Sequence, residues 1–346
     1  MITSKPAEFY DHDHIEDLDG RIYIVIGNTH PPGKVIAYLK YVPTSSKTFW
    51  CRGSVCFERV IKKYGVDNVL SSVRGRQQEM YDPTLGVSVP VIGIEEISEV
   101  YRPRERFSEI LRRPRDDAEL DVVIAYERLR EYSTIPPSSV GVDGSIAVGI
   151  HNPAISDVDL VVYGCREAIE VAETACSAFD RVPTNIELGR LANMAEIYGL
   201  PVEVIQRISA PYKRLYLGSR KREVNIMFTS DKPGRYGEVV LNPVGVVEAE
   251  VLVWPGSCES LYYPGVAEVD RVVDLRVLRT FQEFPTNLSS PKVSKIVTYE
   301  SLYSYPLYRG GEMRVRGVLT LEKPSNEFVI VVGTRETHSY AIPKTS

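Results

Sequence analysis

The chain has 346 residues, 43% of them hydrophobic and 25% charged. Those proportions suit a globular protein and exclude a membrane bundle or a disordered tail. A formal net charge of -5 excludes a globally basic nucleic-acid binder and confines any such contact to a local patch.

At this length a single core is unlikely to suffice, and three domains are expected: 1–98, 99–236 and 237–346. No apolar run has the length of a membrane span, and the opening MITSKPAEFYDHDH lacks the apolar core of a leader, so a cytoplasmic address is expected. Residues 1–98 read as β-rich. Arg21–Gly27 and Lys34–Tyr41 have strand composition and are separated by the Pro31-Pro32-Gly33 turn. A short helix is expected over Val55–Tyr64 and a strand near Val87–Ile94. The Asp11-His12-Asp13-His14 cluster precedes the first strand without partner ligands and reads as a solvated loop. Cys51, Cys56, Cys165, Cys176 and Cys258 are odd in number and scattered, which suits core or surface thiols better than a zinc site.

Six arginines crowd Tyr101–Arg115; a solvated helix face is favoured over a phosphate-contacting rim. Glu119–Tyr132 reads as an amphipathic helix with Leu120, Val123, Ile124 and Leu129 buried. Pro136-Pro137 stops it, and the segment Gly141–Tyr163, GVDGSIAVGIHNPAISDVDLVVY, follows. It reads as a strand, a tight turn at Gly144-Ser145, an irregular crossing and a second strand. Alternation along that second strand puts Asp157 and Asp159 on one face. Two acids on a strand among Val158, Leu160 and Val162 are costly unless a cation sits between them. Mg2+ or Mn2+ fits, because such ions take a few carboxylates together with substrate phosphates. The Gly144-Ser145 turn offers N–H groups and a hydroxyl to an anion.

Helices are expected over Glu167–Phe179, Ile186–Tyr198 and Val202–Leu217, then a strand over Arg222–Phe228. Beyond Gly237 come at least five strands, which suggest a small barrel such as the oligonucleotide-binding type. Tyr299, Tyr303, Tyr305 and Tyr308 beside Arg309, Arg314 and Arg316 offer rings for stacking single-stranded nucleic acid, although packing of those rings is the favoured reading.

Gly144-Ser145, eleven residues, then Asp157-Val158-Asp159-Leu160 resembles the signature of the DNA polymerase β-like nucleotidyltransferase superfamily. Gly27-Asn28-Thr29-His30-Pro31-Pro32 and Ala37–Pro43 further resemble a group of uncharacterised archaeal predicted nucleotidyltransferases. The resemblance implies an α+β fold: a central mixed sheet with helices, flanked by a β-rich N-terminal domain and a small β-barrel-like C-terminal domain. It implies transfer of a nucleoside monophosphate from an NTP to an acceptor hydroxyl, with Asp157 and Asp159 on the metal. Gly144 and Ser145 would then hold the β and γ phosphates, with Lys213 and Arg214 steadying pyrophosphate. A third carboxylate is expected on the strand beside the pair; Asn225 is the best-placed polar residue there, and Glu223, on the same face, is the candidate acid. The alternative is a non-catalytic protein that keeps the fold and binds a nucleotide, RNA or single-stranded nucleic acid.

Overall fold

The computed structural model describes residues 8–281 and 292–344; the first seven residues, part of the opening read above as lacking a leader, lie outside them. The chain is a mixed α+β protein built on three sheets. Among the described residues no helix is long and apolar enough to cross a membrane.

The first sheet contains β1 (His14–Asp17), β2 (Ile22–Val25), β3 (Lys34–Thr44), β4 (Trp50–Arg52), β5 (Val55–Arg59), β6 (Gln78–Asp82), β7 (Val87–Gly93) and β8 (Ile97–Tyr101), with α1 (Val66–Val73) between β5 and β6. Its order is β4-β5-β3-β2-β1-β8, and β7 joins β3 and carries β6. Val55–Arg59 is therefore a strand and not the start of a helix. Gly53, at φ 60, turns the chain back so that Cys51 opposes Cys56, and the two form a disulfide. Long β3 is buried along most of its length, with charged Lys40 only 8% exposed.

The second sheet has the order β11-β12-β13-β10-β9, made of β9 (Val140–Val142), β10 (Val158–Tyr163), β11 (Asp180–Arg181), β12 (Leu215–Leu217) and β13 (Arg222–Thr229). β10 runs parallel to β13 and antiparallel to β9. Val158, Leu160, Val162, Val224, Ile226 and Phe228 share one core with α2 (Pro103–Arg112), α3 (Asp117–Arg130) and α5 (Cys165–Ala178). The other face of β10 and β13 carries the polar residues. The buried side of α3 differs from the expected stripe: Leu120 is exposed, while Glu119 and Asp121 are buried. Ion pairs override apolarity here, since Arg106 reaches Glu119 and both Arg220 and Arg222 reach Asp121.

Between β11 and β12 lie α6 (Thr184–Tyr198) and α7 (Val202–Ile208). The helix expected over Val202–Leu217 ends at Ile208, because Pro211 forces Ala210 out of helical backbone, to φ -64 and ψ 125. The Gly144-Ser145 turn is the start of a one-turn helix, α4 (Gly144–Ala147). A second disulfide joins Cys165 to Cys258, leaving Cys176 free, so four of the cysteines read as thiols are paired.

The third sheet comprises β14 (Val240–Val253), β15 (Gly265–Thr280), β16 (Val293–Thr298), β17 (Gly311–Lys323), β18 (Phe328–Val332) and β19 (Tyr340–Pro343), with α8 (Ser304–Arg309) after β16. Pairing runs β14-β15-β16-β18-β17 and returns from β17 to β14, a barrel-like ring with β19 outside β17. Tyr299, Tyr303 and Tyr308 are buried, so these rings serve packing and do not form an open stacking surface.

Candidate functional site: a carboxylate face beside a buried histidine pair

Register on the central sheet decides which polar groups meet. Asp159 pairs with Asn225 across the parallel β10–β13 ladder, and the Asn225 amide donates to Asp159 Oδ1 at 3.0 Å. Alternation places Asp157 and Glu223 on the same face, two residues back along each chain. Asp157 stands at the open rim; Asp159 is half-buried. Glu223 is ion-paired with Arg190 of α6.

The residue before α4 completes the acid group. Asp143 caps that helix by accepting from the Gly144 N–H at 2.6 Å, and its own N–H donates to the Asp159 carbonyl at 2.8 Å. Gly144 has φ +68, and a Cβ there would stand 2.6 Å from Asp159 Oδ2. Only glycine allows this approach. Ser145 Oγ lies 3.4 Å from Ser156 Oγ, at the Asp157 end of the face.

The Asp11–His14 segment, expected as a solvated loop, is instead packed into this site. His12 Nδ1 is 2.7 Å from Asp143 Oδ2 and its Nε2 is 3.5 Å from Asp11 Oδ2. Fully buried His14 brings Nε2 to 3.1 Å from Asp143 Oδ1. Asp11 accepts from the Gly27 N–H at 2.8 Å, and Asp13 pairs with Arg102. His12 takes φ 71, an uncommon conformation for a residue with a side chain. The missed signal was the alternation itself: four titratable residues in a row at the start of a buried strand need partners that only the tertiary fold supplies.

Each group's charge state follows from these neighbours. Burial disfavours a charged His12, but Asp11 and Asp143 outweigh it and raise its pKa to about 9. Burial keeps His14 neutral by lowering its pKa. Asp143 is likewise opposed by burial, yet His12 and His14 hold it well below the carboxylate range. Asp159 is raised, first by loss of solvent and then by the Asp143 charge. Asp157 is pushed up to about 6 by loss of solvent and by Asp159, with Arg190, Arg222 and Arg59 opposing. Lys40, whose burial would lower it, is kept above its ordinary value by Tyr64, Tyr41 and Tyr38 and also by Asp143. For both raised acids loss of solvent is the first cause, and a neighbouring carboxylate adds to it, Asp159 for Asp157 and Asp143 for Asp159.

Lys213 and Arg214 part company. Arg214 donates to Glu187 Oε1 at 2.7 Å, whereas Lys213 borders an open cavity of about 420 Å³ lined by residues of all three sheets. His12 and Asp11 form part of the same wall, and so does Met227, on the Asp159 side of β13.

Another group of acids and a histidine lies elsewhere. Asp116, Glu119 and His151 place ligand atoms within 4.8 Å of one another and could hold a metal ion. They also have structural employment. Asp116 caps α3, His151 Nε2 sits 2.9 Å from Asp116 Oδ2, and Glu119 accepts from the Arg115 N–H at 2.8 Å. Among the described residues this is the sole such trio, so Asp157, Asp159 and Glu223 are not drawn into one in this arrangement. Comparison of the chain with family models, with curated proteins and with solved structures returned no match.

Proposed function

We propose that the chain is a Mg2+-dependent nucleotidyltransferase that moves a nucleoside monophosphate from an NTP to an acceptor hydroxyl. The observation that carries this reading is the packing of Asp159 against Gly144, with Asp157 immediately before β10 and within reach of the Asp159 charge, and Asp143 behind. Asp157 and Asp159 are the residues that would hold the ion; both Asp143 oxygens are engaged by His12, His14 and the Gly144 N–H. When bound, the ion would polarise the α-phosphate and neutralise the leaving pyrophosphate. The Ser145 hydroxyl, at the outer end of the face, is the group for the β and γ phosphates. The Gly144 N–H is already committed to Asp143, which leaves Ser145 the larger share. The acceptor oxygen bonds to the α-phosphorus as the α–β bridging bond breaks, and pyrophosphate carries the electron pair away. His12 and Lys40 contribute fixed positive charge behind the acids.

The test is transfer from an α-labelled NTP in Mg2+. Asp159→Asn and Asp157→Asn should each lower the rate by at least about a hundredfold. Transfer indifferent to both substitutions refutes this site.

A second reading has its own support. Asn225 stands where a third carboxylate is expected, and Glu223 is neutralised by Arg190. Both suit a nucleotide-binding protein without turnover. NTP binding with no transfer to any acceptor would favour it.

A further inference from the structure

The cavity beside the acid face has features that transfer of a nucleotide does not use. Its volume of about 420 Å³ is in the range of small-molecule sites, roughly 300–1,000 Å³. Tyr38, Tyr64, Tyr212, Tyr263 and Tyr299 contribute to its walls, with Val and Leu side chains from α1 between them. Tyr212 is locked edge-on against Phe228, ring centroids 4.8 Å apart. Tyr263 and Tyr299 lie 6.2 Å apart at 37°. Rings held this way make a rigid slot for a flat apolar body.

Three basic residues line the slot, and two have carboxylates in reach: His12 lies against Asp11 and Asp143, and Arg335 is 3.7 Å from Asp67 and 4.0 Å from Glu79. Lys213 follows Tyr212, and burial alone lowers its pKa to about 8, with no acid near enough to offset it. Glu300, also on the wall, is spoken for: it accepts from the Val66 N–H at 2.8 Å and from Tyr198 Oη at 3.0 Å. Burial pushes it up to about 7. An unpaired ammonium at an aromatic cavity is expensive unless a ligand brings the counter-charge.

Direction matters as well. Met227 lies four residues beyond Glu223 on the same face of β13, roughly 13 Å at about 3.3 Å per residue. Ser145 and Ser156 mark the opposite end. The cavity wall reaches toward the acid face through His12, 2.7 Å from Asp143, and through Met227, two residues beyond Asn225 on β13, and an in-line nucleophile must come from the side opposite the leaving pyrophosphate.

We infer that this cavity binds a small ring-bearing molecule with a single anionic group, the ring lying among the tyrosines and the anion on Lys213. Its role as the acceptor rests on the nucleotidyltransferase reading; the binding itself does not. Carboxylate and phosphate anions share the needed chemistry, so both are tried.

The probes are 4-hydroxyphenylacetate, indole-3-acetate and phenyl phosphate, each against its neutral analogue (the amides and phenol), titrated by calorimetry and ligand-observed NMR. At least one anion should bind ten or more times tighter than its neutral analogue. The stronger of carboxylate or phosphate identifies the natural group. Lys213→Met should abolish the preference, and Lys213→Arg, which keeps the charge and guards against a folding artefact, should retain it. Asp159→Asn should leave probe affinity within about twofold, so loss of transfer and loss of probe binding are separable failures. No anion binding at millimolar concentration, or a preference that survives Lys213→Met, overturns the site. Competitive displacement of the probe by ATP would make the cavity the nucleotide's own base pocket and overturn the acceptor role.

Discussion

Replacing His12 by glutamine tests the electrostatic account most directly. In the folded protein His12 titrates at about 9, against an ordinary 6.5. A raised pKa means that the folded state binds the proton more tightly, so the stabilisation is full below pH 6.5 and lost as pH climbs through 9. At about 1.36 kcal/mol per unit the full effect is about 3.4 kcal/mol, of which about 3 kcal/mol should disappear between pH 6 and 9. Other groups titrate nearby: Asp13, Asp157 and Glu300 are raised to about 7, 6 and 7, and Lys213 is lowered to about 8. They occur in both proteins, so the difference between wild type and His12→Gln reports the imidazolium together with the two carboxylates coupled to it, Asp11 and Asp143. Urea unfolding at half-unit steps from pH 6 to 9.5 gives that difference. Wild type should lead by roughly 3 kcal/mol at pH 6, beyond any constant packing offset, and the lead should shrink steadily toward pH 9. A lead that does not change with pH would refute the claim that His12 is held as a cation by Asp11 and Asp143.

Gly144→Ala puts a methyl 2.6 Å from Asp159 Oδ2 at φ +68; it should cost about 1–3 kcal/mol in urea unfolding and lower NTP transfer more steeply than stability. Arg222 donates to Asp121 at 2.8 Å and to the Ser156 and Pro153 carbonyls at 2.7 and 2.8 Å. Arg222→Met leaves buried Asp121 with Arg220 alone and frees the loop ahead of Asp157, so a loss of about 1.5–3 kcal/mol is expected by the same assay. Removing the Cys165–Cys258 bond, 93 residues apart in sequence, with a Cys165→Ala and Cys258→Ala double variant should cost up to about 4.5 kcal/mol through the denatured chain. The Cys51–Cys56 bond, five apart, should cost about half that. Equal losses from the two would argue against the chain-entropy account.

Where sequence reasoning succeeded, neighbours in the chain carried the information. The alternation around Asp157 and Asp159 and the pattern of Arg222–Phe228 describe the faces that β10 and β13 present. Where it failed, the deciding group lay far away. Val55–Arg59 became a strand because β3 and β4 pair with it. Leu120 turned outward because Asp121, its neighbour, meets Arg222 across about a hundred residues. Asp11–His14 looked solvated because Asp143, its partner, is 131 residues from His12.

The amino-acid order alone determines that two acids share a strand face after a glycine turn, since the period of a strand is a local property of the backbone. It also encodes the helix stop at Pro211, which the reading of Val202–Leu217 as one helix ran past. Tertiary structure alone decides which groups neutralise those acids, because burial and Coulomb terms depend on distances that no spacing encodes. The cavity under Lys213 belongs to the same category: its walls come from all three sheets, and it exists only once they pack together.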